Sequence, residues 1–145
     1  MIVPDVNLLL CAHVNGFAAH DQARRWWEGA LSGTERVGLA PVVVTGFVRL
    51  ITSPRVLDTP LGVGAATGIV RSWLDRTQVE VLHSNKNHVQ VTLQLLDDVG
   101  AAGNLTTDAL IAAHALEVGA RVATNDTDFA RFEGVQVVNP LKSPA

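Results

Sequence analysis

The chain has 145 residues and a formal net charge of −3; 48% of its residues are hydrophobic, 17% are charged and one is a cysteine. This length suits a single domain spanning 1–145, with enough apolar residues for a sizeable core. The lone Cys11 excludes an internal disulfide and a cysteine cage for a metal, and the acidic balance argues against binding nucleic acid through bulk charge.

The apolar segments are too short for a membrane protein. None approaches the roughly 20 residues that a membrane helix needs. The segment from Leu8 to Ala12 is also shorter than a signal-peptide core and lacks a basic flank. We therefore expect a cytoplasmic protein with no membrane partner. The high apolar content further suggests surface that a partner or a second copy covers.

Short β-prone runs alternate with segments of helical periodicity along the chain. This alternation predicts an α/β sandwich with a mainly parallel central sheet flanked by helices. The segment 42–51 is ambiguous because Val42-Val43-Val44 is β-branched, but Phe47, Leu50 and Ile51 have helical spacing, so we predict a helix. The predicted strands are 2–3, 36–40, 79–82, 121–124 and 135–138; the predicted helices are 6–14, 20–31, 42–51, 63–75, 86–99 and 106–118, followed by a helical turn at 128–132.

Three acids fall where these elements begin or end. Asp5 follows the first strand, Asp126 follows the fourth, and Asp108 lies in the first turn of a helix that Thr106 or Thr107 could cap. Asp5 and Asp108 by themselves can be helix-start residues, which is a common role for Asp, and Asp126 with Asp128 can be merely a turn. A parallel sheet can, however, bring all three to one edge, where ligands of open α/β sheets bind.

Carboxylates gathered at one edge repel each other unless a cation lies between them. Hard divalent cations prefer oxygen ligands, and Mg²⁺ uses one or two carboxylates together with waters and a substrate phosphate. This chemistry suits phosphodiester hydrolysis, in which the metal neutralises the phosphate and activates water.

Three motifs in this order resemble a PIN domain, and in particular the VapC-like toxins of bacterial toxin–antitoxin pairs. The resemblance covers essentially the whole chain. The motifs are Asp5-Val6-Asn7-Leu8-Leu9, Thr106-Thr107-Asp108-Ala109 and Thr124-Asn125-Asp126-Thr127-Asp128-Phe129.

The resemblance implies a three-layer sandwich and an endoribonuclease that depends on Mg²⁺ or Mn²⁺ and cuts structured RNA such as tRNA or rRNA. It also implies an antitoxin partner that occupies the site, and a homodimer. Asp5, Asp108 and Asp126 match the family's catalytic metal-binding acids, and Asp128 matches a further acid. Asn7 and Thr124 match polar positions that orient the first acid and line the site.

The sequence departs from the family pattern at Gly46. A Glu is expected there, in a run like Ser-Glu-Phe-x-Arg-Leu, but the chain has Thr45-Gly46-Phe47-Val48-Arg49-Leu50. Asp128 is the candidate for replacing the missing charge. The departure leaves open an alternative function, a PIN-fold binding module with weakened catalysis.

A phosphatase with Asp5 as nucleophile is a further alternative. Such enzymes carry a second Asp two residues later and a downstream Lys, whereas this chain has Asn7, and neither Lys86 nor Lys142 is suitably placed.

The five histidines are scattered without the spacing of a zinc site. The tryptophans at 26, 27 and 73 have helical spacing and are expected in the core or an interface, where exposed aromatic surface would suit an antitoxin helix.

Overall fold

The computed structural model describes residues 1–142, so the last three residues of the predicted 1–145 domain lie outside the described residues. Within 1–142 the elements alternate as expected, and most boundaries agree with the predictions to within two residues. In chain order they are β1 Ile2–Pro4, α1 Val6–His13, α2 His20–Ser32, β2 Val37–Leu39, α3 Pro41–Ile51, α4 Val63–Leu74, β3 Val79–Val81, α5 Lys86–Val99, α6 Leu105–Val118, β4 Arg121–Ala123, a 3₁₀ turn Thr127–Arg131 and β5 Gln136–Val138.

The five strands found within residues 1–142 form one sheet in the order β3-β2-β1-β4-β5. Each neighbouring pair is parallel, which confirms the predicted α/β sandwich and makes its sheet parallel throughout. The chain runs outward from β1 through β2 to β3 and then returns to the other side of β1 with β4. This reversal of strand order creates a crevice beyond the carboxyl ends of β1 and β4, where doubly wound folds bind their ligands.

The ambiguous segment is a helix, as predicted. Pro41 occupies the first turn of α3, where its missing N–H breaks no hydrogen bond and its fixed φ favours helix initiation. Val43, Phe47 and Ile51 are buried along one face of the helix. Their spacing of four residues places these apolar side chains against the core, and this tertiary burial outweighs the weak β-preference of the valines.

An aromatic cluster packs three helices together. Trp73 of α4 lies 4.7 Å from Phe47 of α3 and 5.5 Å from Trp27 of α2, measured between ring centroids. All three rings are almost fully buried, whereas Trp26 is half-buried. The prediction that the tryptophans are core residues is therefore confirmed for Trp27 and Trp73.

Two local expectations were wrong. Helix α6 begins at Leu105 with Asn104 as the capping residue, so Thr106 and Thr107 lie inside its first turn instead of capping it. The helical spacing of Ile69, Val70, Trp73 and Leu74 predicts that all four face inward, but Leu74, the last residue of α4, is 43% exposed. No helix within residues 1–142 is long and apolar enough to span a bilayer.

Candidate active site

The register between β1 and β4 determines the position of Asp5. Pro4 lies opposite Ala123, and the backbone N–H of Asp5 donates to the carbonyl oxygen of Ala123 over 2.9 Å. The next residue of β4, Thr124, is therefore beside Asp5, and its hydroxyl donates to Asp5 Oδ2 over 2.8 Å. Asp5 is only 2% exposed, so this hydrogen bond supports a buried carboxyl group.

Thr124 also holds the next acid. Its hydroxyl oxygen accepts a hydrogen bond from the backbone N–H of Asp126 over 2.9 Å. Asp126 Oδ1 in turn accepts from the backbone N–H of Asp128 over 2.8 Å and caps the 3₁₀ turn. The turn interpretation of this pair therefore accounts for one oxygen of Asp126, while its side chain remains part of the acid group described next.

Asp108 approaches from the first turn of α6 and completes a cluster with Asp126 and Asp128. Each of the three offers a carboxylate oxygen, and these oxygens all lie within 4.8 Å of one another. Asp5 lies outside this tight group, but close enough for its charge to act on Asp108 and for Asp126 to act on Asp5. The fold thus brings all four acids suggested by the sequence to one edge of the sheet.

Burial and mutual repulsion make these acids hard to ionise together. Burial, followed by the charges of Asp5, Asp126 and Asp128, raises the pKa of Asp108 to about 7. Burial also raises the pKa of Asp5, the nearby charge of Asp126 adds to the rise, and the hydrogen bond from Thr124 opposes it. Such carboxylates favour a cation that would relieve their repulsion.

The donor set is the kind that Mg²⁺ or Mn²⁺ uses. All four candidate ligands, Asp5, Asp108, Asp126 and Asp128, are carboxylates, which are hard oxygen donors, and the cluster has room for waters because Asp128 is exposed. The pKa of Asp108 near 7 also implies that a proton competes with the cation at this position under neutral conditions.

A cleft of about 350 Å³ opens beside these acids. Asn7 lines it, as expected, although among residues 1–142 no side-chain hydrogen bond joins Asn7 to Asp5. Cys11 also lines it: its place in an apolar helix predicts a small buried side chain, but the side chain is only partly buried. The lining residues are Asp5, Asn7, Leu8, Cys11, Asn125, Asp126, Thr127 and Leu141.

Sequence reasoning missed the contribution of the segment after β5. The Asn139 amide donates to Asn125 Oδ1 over 2.8 Å, and Asn139 Oδ1 accepts from the backbone N–H of Leu141 over 2.9 Å. These bonds hold Leu141 at the cleft. The strand-end rule that identified Asp5 and Asp126 applies equally to β5, and its use there could have indicated Asn139.

Gly46 lies next to the acid edge. A Cβ atom built at this position would be 3.4 Å from Val6 Cγ2, an ordinary van der Waals contact, and Val6 directly follows Asp5. A side chain at position 46 therefore has room. Asp128 is the residue proposed from the sequence to replace the missing charge. It contributes an oxygen to the acid cluster from the turn after β4, whereas Gly46 lies in α3.

The Thr124 hydroxyl gives a first prediction. Thr124→Val should lower the free energy of unfolding by roughly 1.5–3 kcal/mol at a pH above the raised pKa of Asp5, because the buried carboxylate loses its hydrogen bond. The loss should shrink as pH falls through the raised pKa of Asp5, since the neutral carboxyl needs less stabilisation. Urea unfolding at pH 8 and pH 4 measures both effects. Thr124→Ser keeps the hydroxyl and should show neither, and equal losses at the two pH values would contradict the assignment.

Comparison with known proteins finds relatives over nearly the whole chain. A model of the PIN domain matches residues 2–135. Over 142 residues the chain is 42% identical to a Mycobacterium tuberculosis protein named Ribonuclease VapC33, which covers 98% of this chain and 99% of that protein. It is 38% identical over 140 residues to Ribonuclease VapC37 of the same organism, which covers 97% of each chain.

Solved structures share the fold at lower identity. Mycobacterium tuberculosis VapC20, described as a toxin that cleaves the sarcin–ricin loop, has a TM-score of 0.71 at 22% identity, covering 94% of this chain and 99% of that chain. The VapBC-1 structure from nontypeable Haemophilus influenzae has a TM-score of 0.68 at 20% identity, covering 98% and 100%. The expectation drawn from the three motifs is confirmed, and the chain belongs to the PIN-domain family of VapC-like ribonucleases.

Proposed function

We propose that the chain is a divalent-metal-dependent endoribonuclease, the toxin of a toxin–antitoxin pair, which acts in the cytoplasm on structured RNA such as tRNA or rRNA. The observation that carries this proposal is the acid cluster of Asp108, Asp126 and Asp128, whose oxygens lie within 4.8 Å of one another beside the buried Asp5. The names of the relatives support the reaction class, and the carboxylate donors support Mg²⁺ or Mn²⁺.

The residues of the chain have separate tasks in this proposal. Asp5, Asp108, Asp126 and Asp128 would hold the cation, and Thr124 would keep Asp5 and Asp126 in place through its two hydrogen bonds. When bound, the cation would neutralise charge on the scissile phosphate and activate water for attack. The cleft that Asn7 and Leu141 line would accept the RNA strand beside these acids.

Removal and return of the metal test the proposal. The purified chain should cut total cellular RNA at discrete positions with Mn²⁺ or Mg²⁺ and lose all cutting in excess EDTA. Returning Mn²⁺ should restore the same bands, because the acids are held by the fold independently of the ion. Cutting that persists in EDTA, with a fresh metal-free RNA control intact, would contradict a metal-dependent mechanism.

Two other functions remain distinguishable from this one. Gly46 favours the binding module with weakened catalysis, and this function would be indicated by RNA or protein binding with no cutting under conditions where Mn²⁺ raises the melting temperature. The phosphatase alternative, with Asp5 as nucleophile, is contradicted by membership in the PIN family.

An antitoxin is the protein partner that we propose. Among the structural relatives are a VapBC complex from Haemophilus influenzae and a toxin–antitoxin complex from Klebsiella pneumoniae. Of the three tryptophans, only Trp26 offers exposed aromatic surface to an antitoxin helix, because Trp27 and Trp73 are buried. Co-expression with a candidate antitoxin should give a complex that survives size-exclusion chromatography and no longer cuts RNA; a complex with unchanged cutting would argue against this role.

A homodimer is the second assembly that we propose. Val89 and Leu93 are 50% and 56% exposed and lie one turn apart on α5, so they form an apolar stripe that a second copy could cover. Light scattering on the purified chain should give twice the monomer mass at micromolar concentration, and a monomer mass throughout the concentration range would contradict the dimer.

A further inference from the structure

A second group of metal-binding side chains lies at the other end of α6 from Asp108. His114 and Glu117 lie one turn apart on this helix, and His88 faces them from the first turn of α5. Asp108 and His114 are six positions apart, which corresponds to about 9 Å along the helix axis. The histidine pair is therefore separate from the acid cluster, although one helix carries both.

His88 presents its Nδ1 to the group. Its ring is 1% exposed, and Nδ1 lies 2.9 Å from Glu117 Oε1. Without a metal, the neutral ring carries its proton on Nδ1 and donates it to the carboxylate, because a carboxylate can only accept. A cation between Nδ1 and Oε1 would replace this shared proton, since the two atoms already have nearly the spacing of two ligands of one zinc ion.

Glu117 is held in position independently of a ligand. Its second oxygen, Oε2, accepts a hydrogen bond from the Asn87 side-chain amide over 3.0 Å. Asn87 of α5 thus holds Oε2, and the next residue, His88, contacts Oε1. The carboxylate is partly exposed and lines an open cleft of about 400 Å³, which provides an entry path from solvent.

His114 completes the group. Its ring stacks on that of His88 with centroids 3.7 Å apart and planes 20° from parallel. Burial, with a further contribution from the neighbouring His88, lowers the pKa of His114 to about 4. The imidazole is therefore neutral at physiological pH, which is the form that binds a metal. Its only hydrogen bond within residues 1–142 is a long one, 3.3 Å from Nε2 to the Ser84 hydroxyl.

We propose that His88, His114 and Glu117 bind a zinc ion that joins α5 to α6, with water from the cleft as the fourth ligand. Each residue offers one ligand atom, and the three atoms already lie within 4.8 Å of one another. Tetrahedral zinc with bonds near 2.1 Å needs ligand atoms about 3.3 Å apart. Side-chain rotations therefore need to shorten the distances between these atoms by about 1.5 Å at most. Rotation of the His114 ring would break the stack and turn its nitrogen towards the ion.

Nitrogen ligands distinguish this site from the acid cluster. Imidazole prefers zinc and other transition ions, whereas carboxylates alone suit Mg²⁺ and Mn²⁺. A histidine pair that only packs in the core would stack in the same way but would respond to no metal. The two interpretations therefore differ in whether zinc stabilises the protein through these residues.

The test is a thermal-shift and calorimetric titration of the chelator-stripped chain with zinc chloride. The Asp108→Asn variant serves as the starting protein, because it weakens any zinc binding at the acid cluster. We expect one zinc per chain, with the melting temperature raised by about 5–10 °C at 100-fold excess over Kd. Glu117→Gln keeps a similar shape on a partly exposed side chain and should weaken zinc binding at least tenfold.

His83→Ala is the matched control, since His83 lines the same cleft without belonging to the group. Zinc binding should be unchanged in this variant. The proposal is overturned if zinc does not bind to Asp108→Asn, if Glu117→Gln binds zinc as tightly as its parent, or if His83→Ala removes the effect. Comparison with Glu117→Gln remains possible even if substitutions of the buried histidines prevent folding.

Discussion

Asp108→Asn should reduce RNA cleavage by at least about 100-fold and, in the metal-free protein, raise stability above pH 7. The loss of activity follows from removing one charge and one hard ligand from the cluster with Asp126 and Asp128. The gain in stability follows from removing a carboxylate that the folded protein resists ionising, since burial and three neighbouring acids raise its pKa to about 7.

The pH dependence of this gain has a definite sign. Below about pH 4, Asp108 is protonated in both the folded and the unfolded chain and does not affect the comparison. Between pH 4 and 7 the folded chain keeps a proton that the unfolded chain has lost, so stability falls as pH rises. Above pH 7 the full penalty applies. The asparagine variant has no such proton, and this contribution to the pH profile disappears.

The magnitude is modest because Asp108 is only partly buried. After allowance for solvent screening we expect about 1–2 kcal/mol at pH 8, or roughly 3–6 °C in melting temperature. Melting curves in EDTA at pH 4, 6 and 8 measure it, beside a cleavage assay in Mn²⁺. Asp97→Asn removes an exposed carboxylate of α5 and is the control. Parallel pH profiles for Asp108→Asn and the parent chain would refute the electrostatic explanation.

Gly46→Glu should increase cleavage about 10- to 100-fold at limiting Mg²⁺, with a smaller effect at saturating metal. The new side chain fits, because a Cβ at this position makes only an ordinary contact with Val6. Val6 adjoins Asp5, so the added carboxylate would reach the acid edge from α3. A group that supplies or orients one metal ligand changes metal affinity by about this factor.

Two variants at the same position separate charge from helix propensity. Gly46→Ala and Gly46→Gln should each stabilise α3 by about 0.5–1 kcal/mol, since glycine is unfavourable within a helix, but neither should lower the Mg²⁺ concentration for half-maximal cleavage. In EDTA, Gly46→Glu should melt below Gly46→Gln because it adds repulsion at the site. Equal Mg²⁺ dependence of the Glu and Gln variants would show that position 46 does not reach the metal.

The local sequence by itself determined most of the element boundaries. Helix α5 spans Lys86–Val99 as predicted, because Asn85 accepts a hydrogen bond from the backbone N–H of His88 and Gly100 adopts a left-handed φ of 75° that ends the helix. The order of strands and helices also predicted a parallel sheet. This rule alone was enough to place Asp5 and Asp126 at one edge, since carboxyl ends of parallel strands point the same way.

Only the tertiary structure decided which distant residues meet. Local periodicity indicates which face of a helix is buried, but not which neighbour covers it, because the strand order β3-β2-β1-β4-β5 arises from long-range packing. The proximity of Asp128 to Asp108, the room at Gly46 and the place of Leu141 in the cleft all depend on that order. The contact of His88 with His114 has the same origin: they are 26 positions apart in the chain, and only the packing of α5 against α6 brings their rings together.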